Sequence, residues 1–431
     1  MIAQSLSWWL VLQGIGLIAL PVTLTVFRNL PGRGYAFAKP LGLISGAYVF
    51  WLALSFGLLP NRPGSIFWSF VPLIVASGLI FWRRKEEIVS ALRERIGLIL
   101  VVEALFTLAF AVAVYLRSFL PEIAGTEKPM DFMFLNAASR SDSYPPADAW
   151  LSGFDVSYYY FGYVIQAVIG KLAAVPTSVA FNLGLASTAA LAATAAFGLA
   201  YEIVRFARAS TLRTGLIAGL AAALFVTVLG NLEGALEFAI ANDYDLPQWV
   251  INRVDIANLD TAQESAACLI SLPGHCLEYP NEQSSFWWWW RATRIAADGN
   301  SITEFPFFSF LLGDLHPHVM AIPYVLTSFA LGLSFWRATE SLTHDFWQRR
   351  PALLVVAAVA LGGLGFLNTW DFPTLAFVIA LLVVARNLGP VLAAGQDAPE
   401  PLWPRVRTAL GASAGFLAPL LVLAFALYLP F

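Results

Sequence analysis

The sequence predicts an all-α integral membrane protein of about ten transmembrane helices, with short interfacial helices between some of them. Three observations predict it. Hydrophobic residues make up 58% of the 431-residue chain and charged residues only 12%, roughly half the charged share of a typical soluble protein. The apolar residues fall in runs close to the roughly 20 that a helix needs to cross the hydrocarbon. Lysine and arginine collect in short clusters between those runs, the pattern that orients spans in a bilayer.

In chain order the candidate spans are residues 8–27, 41–59, 66–82, 97–116, 179–204, 215–230, 319–336, 352–367, 374–384 and 410–429. The basic clusters lie at Arg28, Arg33 and Lys39, at Arg83, Arg84, Lys85, Arg93 and Arg95, at Arg205, Arg208 and Arg213, at Arg337, Arg349 and Arg350, and at Arg386, Arg405 and Arg407. They all fall on the cytoplasmic side only if residues 158–175 do not cross. That segment opens on aromatics, contains Gly162, Gly170, Gln166 and Lys171, and is followed by Pro176. It reads as an interfacial helix at headgroup level. The polar stretches 117–157, 232–305 and 368–373 are then expected outside.

A net charge of -3 with no single basic patch argues against nucleic-acid binding. No charged leader with a small-residue cleavage site precedes the first apolar run, so that run is expected to stay as an anchor. The chain stops at Tyr428-Leu429-Pro430-Phe431, directly after an apolar run, the pattern expected of part of a longer protein. Cys268 and Cys276 share one polar stretch and could bridge in an oxidising compartment; the other reading is two unrelated thiols.

Four constellations could carry chemistry. The loop after residue 116 holds Glu127, Asp131, Asp142, Asp148 and Asp155, with Lys128 and Arg140 among them. Met130, Phe132, Met133, Phe134 and Leu135 would seat Asp131 against the bilayer edge, where a partly desolvated carboxylate can serve as a general base toward a hydroxyl. The structural alternative is that Asp131, like Asp148 and Asp155, caps a helix. In the second constellation, Gly313-Asp314-Leu315-His316-Pro317-His318, two histidines and a carboxylate could bind a phosphate or a divalent cation, Mg or Mn. In the third, Phe286 to Arg294, Arg291 and Arg294 could hold a lipid phosphate while Trp287 to Trp290 form an aromatic belt or stack on a sugar. Glu103 falls inside a candidate span and stands alone in the sequence, so a neutral, hydrogen-bonded carboxyl is expected there.

Phe27-Arg28-Asn29-Leu30-Pro31-Gly32-Arg33-Gly34-Tyr35, Glu127-Lys128-Pro129-Met130-Asp131-Phe132, Tyr158-Tyr159-Tyr160-Phe161-Gly162, Gly313-Asp314-Leu315-His316 and Asn368-Thr369-Trp370-Asp371-Phe372-Pro373 together resemble an uncharacterised, very hydrophobic membrane-protein family of archaea and Chloroflexi named for its YYY motif. That family is in turn similar to the GT-C glycosyltransferases, which use polyprenyl-phosphate-linked sugars outside the cytoplasmic membrane. The resemblance implies a GT-C-like core over residues 97–431, after a three-helix extension over 1–96, with outer loops near 117–177 and 232–305. It implies an inverting transferase with Asp131 as base, Asp148 or Asp155 as a second acid, and Tyr158, Tyr159, Tyr160, His316, His318, Arg291 and Arg294 around the lipid phosphate. Asp314, His316 and His318 would be the ligands of any divalent cation. The competing expectation is a transporter or flippase of lipid-linked or polar substrates, which tends to place its binding groups near the midplane on broken helices.

Overall fold

A computed structural model describes residues 2–207, 210–232, 247, 249–250, 253, 293, 301–394 and 401–431. Among these residues every regular element is helical, apart from one isolated bridge between Ala147 and Asp155. In order they are α1 (Ile2–Val26), α2 (Ala38–Ser55, entered through a 3-10 turn at Tyr35–Phe37), α3 (Pro63–Glu94), α4 (Ile96–Phe119), α5 (Lys128–Arg140), α6 (Phe161–Leu172), α7 (Thr177–Arg205) and α8 (Leu212–Thr227). Then come α9 (Pro306–Leu312), α10 (Pro317–Trp336), α11 (His344–Gln348), α12 (Pro351–Leu367), α13 (Asp371–Ala393) and α14 (Leu402–Ala426). Helix is what a bilayer demands, because it pairs every backbone group within its own segment.

Eight of these helices are long and apolar enough to cross a membrane. The runs at 215–230 and 352–367 become α8 and α12, which are apolar but shorter, at 16 and 17 residues. Several spans contain proline, and in two of them a threonine one turn on donates to the proline's own carbonyl. Thr25 Oγ1 donates to the Pro21 carbonyl at 2.9 Å and Thr327 Oγ1 to the Pro323 carbonyl at 2.7 Å. α3 runs on past the expected end of its span and kinks at Arg84, whose φ of -129° leaves the helical region.

The chain forms two compact units, Met1–Ala223 with Gly313–Phe431, and Leu224–Leu312. In the second, α9 starts at Pro306, and Ser309 Oγ donates to Glu304 Oε2 at 3.1 Å. The first unit is built around α7, whose run of Ala, Gly, Ser and Thr lets α4 and α10 approach closely. Its other densely packed pairs are α1 with α2, α10 with α13, and α13 and α12 with α14.

At about 18 Å, α6 is too short to cross, which agrees with excluding 158–175 from the spans. It does not lie along a surface, however. Every residue from Phe161 to Gly170 is buried, and the helix packs on α1, α2, α3, α5, α7, α10 and α12. Gly162 makes this possible against α10, since a Cβ there would come within 2.6 Å of Met320 Cε.

Glu103 does not stand alone. Lys39, expected in a cytoplasmic loop, sits in the first turn of α2 and is buried. Its Nζ lies 2.6 Å from Glu103 Oε1, and the Tyr35 hydroxyl donates to the same oxygen at 3.0 Å. The partner was illegible because it is 64 residues away.

In the connection after α10, Glu340 pairs with Arg28 at 2.5 Å and with Arg350. Burial alone would push its carboxyl up; the Arg350 hydrogen bond and the charges of Arg28 and Arg350 reverse this and hold it below the ordinary 4.5. The unfolded chain therefore binds this proton more tightly, so the bridge's stabilisation is present above about pH 4.5 and lost as pH falls through the lower folded value. Glu340→Gln is expected to unfold at a lower temperature than the parent protein near pH 7, with the gap closing below about pH 4 in parallel melts.

Candidate functional site

α4 ends at Phe119, and the chain reaches α5 through Gly125 and Thr126, both at positive φ. Pro129 in the first turn suits a helix start, where its missing N–H costs nothing. Asp131, Phe134, Leu135 and Ala138 then recur at three- and four-residue spacing, and all four are buried. Asp131 is thus not the cap of this helix; Glu127 holds that position. Its side chain points inward with 0% exposure, and the Tyr163 hydroxyl of α6 donates to Asp131 Oδ1 at 2.5 Å. α5 is clamped to α6 by this hydrogen bond and by the Phe134 ring, 5.5 Å from that of Tyr163.

Glu127, one turn earlier, stays accessible, with its side chain 60% exposed. Its Oε2 lies 2.9 Å from His316 Nε2, and His316 Nδ1 lies 2.8 Å from His318 Nδ1. In the neutral arrangement that satisfies both contacts, His316 donates from Nε2 to the carboxylate and accepts at Nδ1 from His318. The histidines are delivered by Gly313, at φ +87°, followed by Pro317 in the first turn of α10. The φ at 313 is one that residues with a Cβ rarely adopt, which favours glycine there.

The three consecutive tyrosines divide their work. Tyr158 stacks on Phe134, centroids 5.0 Å apart, and holds its hydroxyl 3.4 Å from His316 Nε2. Burial first, then the charges of Asp131 and Glu127, push its hydroxyl up to about 12, so it stays protonated at neutral pH. Tyr159 packs on Tyr158 at 4.9 Å. Tyr160 turns into the core, where it accepts a hydrogen bond from Trp51 Nε1 at 3.0 Å and stacks on Phe431.

Arg117, Lys128 and Asp314 form a buried set of charges. Asp314 accepts from the Thr126 hydroxyl at 3.0 Å, and Arg117 donates through Nε and Nη2 to Asn182 Oδ1 at 3.0 and 2.6 Å. Lys128 is 4% exposed; burial lowers the pKa of its ammonium, the charge of Asp314 opposes that, and the charge of Arg117 adds to it. A cavity of about 260 Å³ opens beside Arg117, walled by Val114, Ser118, Val179 and Leu183.

The fold therefore brings Asp131, Tyr158, His316 and His318 into one cluster, together with Glu127, Tyr163 and Lys128. Asp148 and Asp155 belong to a different local structure. Asp148 Oδ1 accepts from the amides of Trp150 and Leu151 at 2.7 and 2.9 Å, closing a turn, and Asp155 is exposed in the bridge to Ala147. Asp314, His316 and His318 do not assemble as a ligand set. Among the described residues no group of three or more His, Cys, Asp or Glu side chains is placed to hold a metal ion. The spacing misleads because Asp314 turns to Thr126 while the two imidazoles face each other. Arg291, Arg294, Cys268 and Cys276 lie outside the described residues. Glu127 had a sequence signal, four residues before Asp131 and so on the same helix stripe, whereas Tyr163 had none.

Among curated proteins and among solved structures nothing matches this chain. Residues 46–431 match the family described as uncharacterized membrane protein (DUF2298), and the protein, a multi-span membrane protein, belongs to this family.

Proposed function

We propose that the protein is a membrane glycosyltransferase that transfers a sugar, with inversion, from a polyprenyl-phosphate donor to an acceptor hydroxyl outside the cytoplasm. The observation that carries this reading is the accessible Glu127–His316–His318 chain, set where α4 ends and α10 begins and therefore at headgroup level, where a lipid phosphate lies. In this reading residues 97–431 form the transferase core and 1–96 an extension. Two carboxylates compete for the role of base, and exposure separates them. Asp131 is enclosed and bonded to Tyr163, so it positions α5; Glu127 is open to an arriving hydroxyl.

The acceptor O–H gives its proton to Glu127 as its oxygen bonds to the anomeric carbon, and the carbon–oxygen bond to phosphate breaks with its electron pair leaving on the lipid phosphate. His316, bonded to Glu127, orients that carboxylate as base, and the lipid phosphate departs from the opposite face of the sugar. The cavity beside Arg117 mixes Val114, Val179 and Leu183 with Ser5, Ser118, Ser178 and Asn182, and in this reading it receives the phosphate end of the lipid. The test is reconstitution of the full chain with a polyprenyl-phosphate-linked sugar and a hydroxyl acceptor. Release of free polyprenyl phosphate with a glycosylated acceptor is expected; an untouched donor across acceptor classes would overturn the reading.

A second reading, transport or flipping, draws on one observation. A cavity of about 410 Å³ beside the Lys39–Glu103 pair is lined by Trp9, Gln13, Tyr35 and Thr107 within the spans α1, α2 and α4, and intramembrane ionisable groups commonly mark substrate paths. It requires that uptake into sealed vesicles be lost in Glu103→Gln with no covalent product formed. Unchanged uptake in that variant removes it.

A further inference from the structure

A second feature of the bundle lies apart from this cluster. α1 ends at Val26 and α12 begins at Pro351, and between these termini and α3 a cavity of about 370 Å³ opens. Its wall is aliphatic, formed by Val22, Val26, Ala76, Ile80, Leu353 and Val356; its rim carries Arg28, Arg349 and Arg350, and the lining includes no carboxylate. Glu340, behind the rim, pairs with Arg28 and Arg350. Three guanidinium groups against one carboxylate leave an excess of two positive charges. Arg349 is exposed and, among the described residues, makes no ion pair.

We propose that this cleft binds an anionic phospholipid, with its phosphate against Arg28, Arg349 and Arg350 and one acyl chain along the aliphatic wall. Charge complementarity selects the headgroup. Guanidinium groups at the end of a span sit at headgroup depth, where basic clefts between transmembrane helices meet lipid phosphates. The wall selects a lipid over a free anion. Inorganic phosphate or glycerol phosphate would be dehydrated against aliphatic side chains with nothing gained, whereas an acyl chain fills the space that the rim cannot. A zwitterionic lipid would bring its own cation to a rim already positive.

The test uses the purified full chain in detergent and reads lipid affinity by native mass spectrometry for phosphatidylglycerol, phosphatidylcholine and glycerol phosphate. Phosphatidylglycerol is expected to bind at least about ten-fold more tightly than phosphatidylcholine, the size of one charge-assisted hydrogen bond. Arg349→Gln should remove about ten-fold of that affinity, and because the side chain is exposed and makes no ion pair among the described residues, the variant should fold normally. Val356→Trp, which fills the cleft, should weaken phosphatidylglycerol binding while glycerol phosphate binding stays as it was. Equal binding of the two lipids, an Arg349→Gln variant that keeps full affinity, or displacement of phosphatidylglycerol by equimolar glycerol phosphate would each overturn the proposal.

Discussion

Glu127→Gln is expected to lower sugar transfer by about a hundred-fold or more, the usual share of a positioned base, while the melting temperature of the purified protein stays within error. The two readouts separate because of where this carboxylate sits. Its side chain is 60% exposed and its ion pair among the described residues is with His316, and an exposed pair contributes little to stability. The amide keeps the size and an acceptor oxygen for His316 Nε2, but it cannot take a proton. The assay is turnover of a polyprenyl-phosphate-linked donor by reconstituted protein, with the Michaelis constant for donor followed alongside. A fall in turnover at unchanged donor affinity is the expected pattern. Full turnover in this variant would take Glu127 out of the mechanism, and loss of turnover in Asp131→Asn at unchanged stability would hand the role of base to Asp131.

Tyr163→Phe should destabilise the protein by about 2 kcal/mol, because it deletes a 2.5 Å hydrogen bond to a carboxyl group that is 0% exposed. No packing is lost, since the ring against Phe134 remains. The measurement is thermal unfolding in detergent for Tyr163→Phe, Asp131→Asn and the double variant. If the pair is one interaction, the double variant should lose less than the sum of the singles. Strict additivity would mean that α5 is held by its apolar stripe alone. Turnover in Tyr163→Phe is expected to fall less than in Glu127→Gln, since Asp131 acts here on the placement of α5.

Much of the architecture was legible because a bilayer simplifies the code. An apolar run of sufficient length has few alternatives to helix, and each of the ten runs is a helix at nearly the expected place. The misread lengths are physical too. α3 and α13 extend beyond their apolar runs because helical hydrogen bonding continues into the polar interface. The loop acids were legible as a group, but their division of labour was not. Asp131 and Asp148 both read as possible caps, yet one is enclosed by α6 and the other closes an exposed turn.

What the sequence by itself determined is the class of protein, the order of its apolar helices, and the short stretches, Glu127 to Asp131, Tyr158 to Tyr160 and Gly313 to His318, in which polar groups interrupt apolar runs. These are properties of composition and local periodicity, carried within about one helical turn. Only the tertiary structure decided which of those groups meet. Lys39 finds Glu103 across 64 residues, Tyr163 finds Asp131 across 32, and Glu127 finds His316 where two spans end side by side. The reason is physical. In a bilayer, hydrophobicity decides that a helix crosses but gives little preference among neighbours, so the partners are chosen by small-residue contacts such as those of α7 and by buried polar pairs, and these are relations between segments that neither segment states alone.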